Sequence, residues 1–135
     1  MSTKEEREAA RAARLAKSDA LIAEKREEEE EILFKLEEEH NWVLGRDIAA
    51  TFCHNTGKIV VVKKPSPVVH KTFIKKLHKN GVNDDDNYEI LLACLVYPDK
   101  SELEKVIIET PAIISMASDQ CCQLAGFSKQ ALEGK

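Results

Sequence analysis

The chain predicts an α+β fold that is mainly helical: a long charged N-terminal helix, then a β-hairpin and about four short packed helices. Three observations lead there. Residues 1–40 contain no Gly or Pro and carry 8 basic and 13 acidic side chains, net −5. Residues 41–135 carry 12 basic and 11 acidic groups, net +1, and nearly all the large apolar side chains. Between residues 48 and 62 the hydrophobic period shortens to two, then helical spacing returns. The chain therefore divides into a charged helical arm, 1–40, and a small α+β domain, 41–135, made of a hairpin and a helical bundle. An apolar content of 43% excludes disorder throughout. A domain of this size buries roughly 60–65% of its unfolded surface, enough for modest stability without disulfides.

Each element has its own local cause. Ser2 and Thr3 ahead of Glu5 and Glu6 form a capping-box arrangement at the start of the arm. The residues that follow are rich in Ala, Glu, Lys, Arg and Leu, the strongest helix formers. Lys4–Glu8, Glu31–Lys35 and Lys35–Glu39 are opposite charges four residues apart. Leu15, Ile22 and Leu36 share one seven-residue register, but Glu29 occupies it between them. The arm thus shows two apolar patches, Leu15 with Leu21 and Ile22, then Ile32, Leu33, Phe34 and Leu36. A stretch from 24 to 31 without apolar residues separates them and reads as solvated. Such a segment packs its second patch on the domain, binds another helix, its own copy included, or stays an acidic low-complexity tail that never orders.

In the domain, Ile48, Ala50 and Phe52 alternate with smaller or polar residues, and Ile59, Val60, Val61 and Val62 are a strand-forming run. His54-Asn55-Thr56-Gly57 between them is turn chemistry, with Gly57 suited to positive φ. Residues 42–44 are a candidate third strand. Helices are expected to cover one face of this hairpin. Ser66 and Pro67 provide the N-cap and first position of a helix bearing Val69, Phe73 and Leu77, with Ile74 on its flank. Gly81 ends it, and Asp84, Asp85 and Asp86 favour the next helix dipole. That helix, roughly 87–96, is apolar on most sides and is expected to be the central core helix. Tyr97-Pro98-Asp99 breaks the chain, and Ser101 with Glu104 is read as a capping box for a helix bearing Leu103, Val106, Ile107 and Ile108. Thr110-Pro111 restarts a helix through Leu124, Gly126 stops it, and Ser128 caps a last short turn.

Little in the sequence suggests chemistry. Nothing approaches the roughly 18 apolar residues of a membrane span, and no apolar run marks a secretory leader. Cys53, Cys94, Cys121 and Cys122 lack zinc or redox spacing, and three lie among apolar neighbours, which points to a reducing, intracellular compartment. Cys53-His54, His70 and His78 form no metal-ligand pattern, and the adjacent Cys121 and Cys122 point about 100° apart on a helix. No Gly-rich phosphate loop or nucleophile elbow is present, so neither a cofactor nor an enzyme is expected. The three aspartates at 84–86 lack the Gly and terminal Glu of a calcium loop.

Residues 58–79 hold seven lysines, two histidines and no acidic group. Lys71, Lys75 and Lys79 share one helical face beside Lys76, with Lys63 and Lys64 just upstream. This basic face suits solvent, an acidic protein partner (the chain's own arm included) or phosphates. The overall acidity, the lack of Arg and the lack of stacking aromatics argue against nucleic acid.

Ile59-Val60-Val61-Val62-Lys63-Lys64-Pro65-Ser66-Pro67, followed by Phe73-Ile74-Lys75-Lys76-Leu77, resembles the small tail assembly chaperones of tailed bacteriophages. Tyr88-Glu89-Ile90-Leu91-Leu92-Ala93-Cys94-Leu95-Val96-Tyr97-Pro98-Asp99 and Glu109-Thr110-Pro111-Ala112-Ile113 extend the likeness over residues 42–126. Pro-Ser-Pro replaces an expected Pro-Thr step, and the arm matches no part of the pattern. The resemblance implies a non-catalytic protein of the infected bacterial cytoplasm that binds the phage tape measure protein, or another tail protein, during tail assembly. Val69, Phe73 and Leu77, with Ile32, Phe34 and Leu36 on the arm, are the candidate client contacts, and the lysine face supplies charge complementarity. The alternatives are a structural tail or head–tail connector protein, and a nucleic-acid-binding accessory protein.

Overall fold

The computed structural model describes residues 2–126. In chain order these form α1 (Lys4–His40), β1 (Ile48–Phe52), β2 (Ile59–Lys63), α2 (Pro67–Asn80), α3 (Asp84–Cys94), β3 (Leu95–Tyr97), α4 (Lys100–Glu109) and α5 (Ile113–Leu124). The expected mainly helical α+β class is what the chain adopts. Ser128 lies outside the described residues.

The three strands make one antiparallel sheet in the order β1-β2-β3. Ile48 pairs with Lys63 and Phe52 with Ile59, and Val61 and Val62 pair with Tyr97 and Leu95 across an irregular step. Strand alternation divides the side chains between two cores. Ala49, Val60 and Val62 join a cluster with Phe73, Ile90, Leu91, Leu103, Ile113 and Cys121. Ile48, Ile59 and Val61 point the other way and pack with Leu33, Leu36, Trp42, Phe52, Val96 and Tyr97. The architecture is therefore three layers, α1, the sheet, and α2 to α5. Helices cover one face as expected, and the second apolar patch of the arm, through Leu33 and Leu36, packs on the other. The four-residue β-branched run signals burial on both faces, as all of Ile59, Val60, Val61 and Val62 are buried.

The third strand is a correction. Residues 42–44 do not form one. The Asp47 carboxylate accepts from the Val43 N–H at 2.7 Å, and the Arg46 and Asp47 N–H groups bond back to the Val43 carbonyl, closing a turn. Leu95–Tyr97 takes that place. Pro98 disfavours helical backbone at Tyr97, so α3 stops at Cys94 and the extended chain pairs with the open edge of β2. Three helix starts also differ. α3 begins at Asp84, capped by Asn83, whose side chain accepts from the Asp86 N–H at 2.9 Å. α4 is capped by Asp99, which accepts from the Glu102 N–H at 2.9 Å, so Ser101 lies inside the first turn. Thr3 and Ser66 cap α1 and α2 as expected. α5 begins later than the expected Thr110-Pro111, at Ile113, without a side-chain cap.

The central helix is also reassigned, from α3 to α5. α5 lies across β1 and β2, and α3 packs against it. The buried Ala117, Ser118 and Cys121 explain this, since small side chains let a helix approach a sheet closely.

The hairpin turn joins the layers. Asn55 donates to the Glu109 carbonyl at 3.1 Å and accepts from the Thr110 hydroxyl at 2.7 Å, while Lys58 meets the Glu109 carboxylate at 2.8 Å. On its other side Gly57, at φ +79°, lies directly under α1, where a Cβ would collide with the Ile22 carbonyl and the Arg26 N–H. Arg26 in turn sits 4.2 Å over the Phe52 ring. Gly57→Ala should therefore cost about 1–3 kcal/mol through backbone strain and a displaced α1. Denaturant unfolding of the variant checks this; an unchanged midpoint refutes the close contact.

Candidate protein-binding site

α2 and α3 diverge enough to leave an open groove of about 240 Å³ on the helical side. Val68, Val69, Thr72 and Phe73 line one wall, and Ile90 and Ala93 the other. Ala93 is small where the neighbouring turns of α3 carry larger groups, so the helices do not close over it. Val68 is 74% exposed at the mouth. Lys76 bridges the rim to both oxygens of Glu89, at 2.8 and 2.7 Å, and this carboxylate pushes the Lys76 ammonium above its usual range. The rest of the basic face, Lys63, Lys64, Lys71, Lys75 and Lys79, is exposed. The groove thus combines an apolar floor with a charged rim, the form that accepts the apolar face of an amphipathic helix.

The six expected client contacts do not converge. Phe73 is 4% exposed and Leu77 8%, so both serve mainly as core, and only Val69 and the edge of Phe73 reach the groove. Ile32, Phe34 and Leu36 belong to α1, on the opposite side of the sheet. Ile32 is half-buried, Leu36 packs on the sheet, and Phe34 is 59% exposed among Glu27, Glu30 and Glu31. Val68, Thr72, Ile90 and Ala93 were missed. The signal available was the doubled Val68-Val69 beside the stripe and the small Ala93 one turn after Ile90.

The acidic arm does not lie on the lysine face either. Its ion pairs are internal, Lys4–Glu8, Lys25–Glu28 and Arg26–Glu30. Glu31–Lys35 and Lys35–Glu39 do not form among the described residues. Lys58 is withdrawn from the basic face by Glu109, whose hydrogen bond raises its pKa.

The stretch read as solvated contains a buried carboxylate. Glu29 is 3% exposed and accepts from the Tyr97 hydroxyl at 2.8 Å, beside a small cavity of about 70 Å³ edged by Lys25, Lys58 and Glu102. Burial, then the hydrogen bond and charge of Glu29, push the Tyr97 phenol up to about 12. The register Ile22, Glu29, Leu36 is the docked face of α1, with Leu33 beside it. Leu15, in the same register, stands beyond the domain at 63% exposure.

All four cysteines are free thiols in the core. Cys94 and Cys121 hydrogen-bond between α3 and α5, and that contact with burial pushes the Cys121 thiol up. Burial likewise raises Cys53. Among the described residues no three His, Cys, Asp or Glu gather as metal ligands, and no helix is long and apolar enough to cross a membrane. No family model, curated protein or solved structure matches the chain.

Tyr97→Phe should destabilise the fold by about 1–3 kcal/mol, because Glu29 then lacks its donor inside the protein. Because the folded-state pKa of Tyr97 lies above the free value of 10.0, its contribution is intact below pH 10 and fades as pH rises towards about 12. Comparing wild type with Tyr97→Phe in unfolding experiments across that window checks the sign. A difference that grows with pH refutes it.

Proposed function

We propose that the protein is a small tail assembly chaperone of a tailed bacteriophage. It works without catalysis in the cytoplasm of the infected bacterium and binds the tape measure protein as the tail is built. The observation that carries this reading is the α2/α3 groove, apolar at its floor and rimmed by Lys76, Asp86 and Glu89, with the exposed lysines of α2 on the flank of the same helix. The likeness of residues 42–126 to that family supports it from the sequence side. A tape measure protein is long and helical, and while unassembled it exposes apolar stripes that aggregate. One such stripe, with anchors three and four residues apart, fills a groove of this kind. Acidic flanks on the client would meet Lys71, Lys75 and Lys79, which speeds encounter and makes binding sensitive to salt.

The structure changes which residue tests the idea. Phe73 is too buried to report on binding alone, whereas Val68 is exposed and Ala93 lines the open wall. Val68→Asp and Ala93→Arg should each weaken capture of the co-expressed tape measure protein by about tenfold or more. Stability should shift by no more than about 0.5 kcal/mol for Val68→Asp. Pull-down with thermal unfolding of the same variants measures both. Undiminished capture by both variants refutes the groove as the client site. Finding the protein in purified virions would instead favour a structural tail or connector component, and binding only to an oligonucleotide, lost as salt rises, would favour the lysine face.

A further inference from the structure

α1 has a second face that the domain leaves open, and we propose that it pairs antiparallel with the same face of a second copy. This inference does not depend on the chaperone reading. The docked face, with Ile22, Glu29, Leu33 and Leu36, turns towards the sheet. About a third of a turn around the helix runs another line of residues, spaced alternately by three and four. Its first half carries Arg7, Arg14 and Lys17, and Leu21 stands near its middle. Glu28, Glu31 and Glu38 occupy the second half. All seven side chains are exposed, with Leu21 at 59%. One half of the line is thus basic and the other acidic along a single helix of 37 residues.

That polarity selects both partner and direction. In a parallel pair every Arg and every Glu would meet its own copy. Run antiparallel, with the two-fold axis just after Leu21, the line brings Arg7 opposite the partner's Glu38, Arg14 opposite the partner's Glu31, and Lys17 opposite the partner's Glu28. The symmetry repeats each pair. The remaining places set Leu21 against the partner's Glu24 and Lys35 against the partner's Ala10, so no like charges meet. The contact is isologous and closes as a dimer. The seam holds few apolar groups, so its strength comes from charge and is screened by salt.

Sedimentation of the full chain at about 0.05 M and about 0.5 M salt tests this. The mass should approach two chains at low salt and fall towards one at high salt. Arg14→Glu with Lys17→Glu should abolish the dimer, as should Glu28→Lys with Glu31→Lys. An equimolar mixture of the two double variants should restore it at low salt, because every reversed charge then meets its opposite. These positions are exposed, so each variant should remain folded, which circular dichroism checks. A wild-type monomer at low salt overturns the proposal. So does a dimer that survives either double variant, or a mixture that stays monomeric.

Discussion

The structure depends on one constraint: β2 is apolar on both faces and must be covered from both sides. Ile59 and Val61 face α1 while Val60 and Val62 face α3 and α5. A three-stranded sheet this small cannot protect such a strand alone. α1 is therefore a structural layer over its docked length, and only residues 4–21 project as an arm. The demand for close approach explains Gly57, which allows the helix to touch the turn. It also explains Glu29, a carboxylate buried where the helix crosses β3 and kept satisfied by Tyr97. A burial of this kind specifies register: sliding α1 by one residue would leave Glu29 without its donor.

The two sides of the sheet carry different surfaces. On the helical side Lys76 is drawn into a pair with Glu89 at the rim of an apolar groove, and the other lysines of α2 stay exposed. On the other side α1 keeps a long charged surface whose sign reverses along its length. A groove for an apolar helix and a polar seam for a like chain can be used together, because the sheet separates them. The interior, by contrast, is chemically quiet. Its cysteines are packed small side chains; the Cys94 contact and burial push the Cys121 thiol up, and burial raises Cys53.

Much of the fold was legible in local signals. Thr3 and Ser66 as caps, Gly57 at the turn and the breaks at Gly81 and Pro98 are short-range effects of backbone geometry, and they stand where the sequence puts them. The candidate site was legible only in part. Val69 and Phe73 lie on its wall, but the stripe they belong to turns chiefly inward, because a four-residue repeat gives a helix face and not the direction it points.

The sequence by itself determined the helices and the hairpin, their order and the charge division between arm and domain, since these follow from propensity, capping and composition. Tertiary structure decided which surfaces meet. It placed β3 on the free edge of β2, gave the central position to α5 through its small residues, and turned Glu29 from an apparently solvated charge into a buried one. The physical reason is the same in each case. Pairing of strand edges and closeness of packing are properties of two segments together, and neither segment carries the partner's shape in its own pattern.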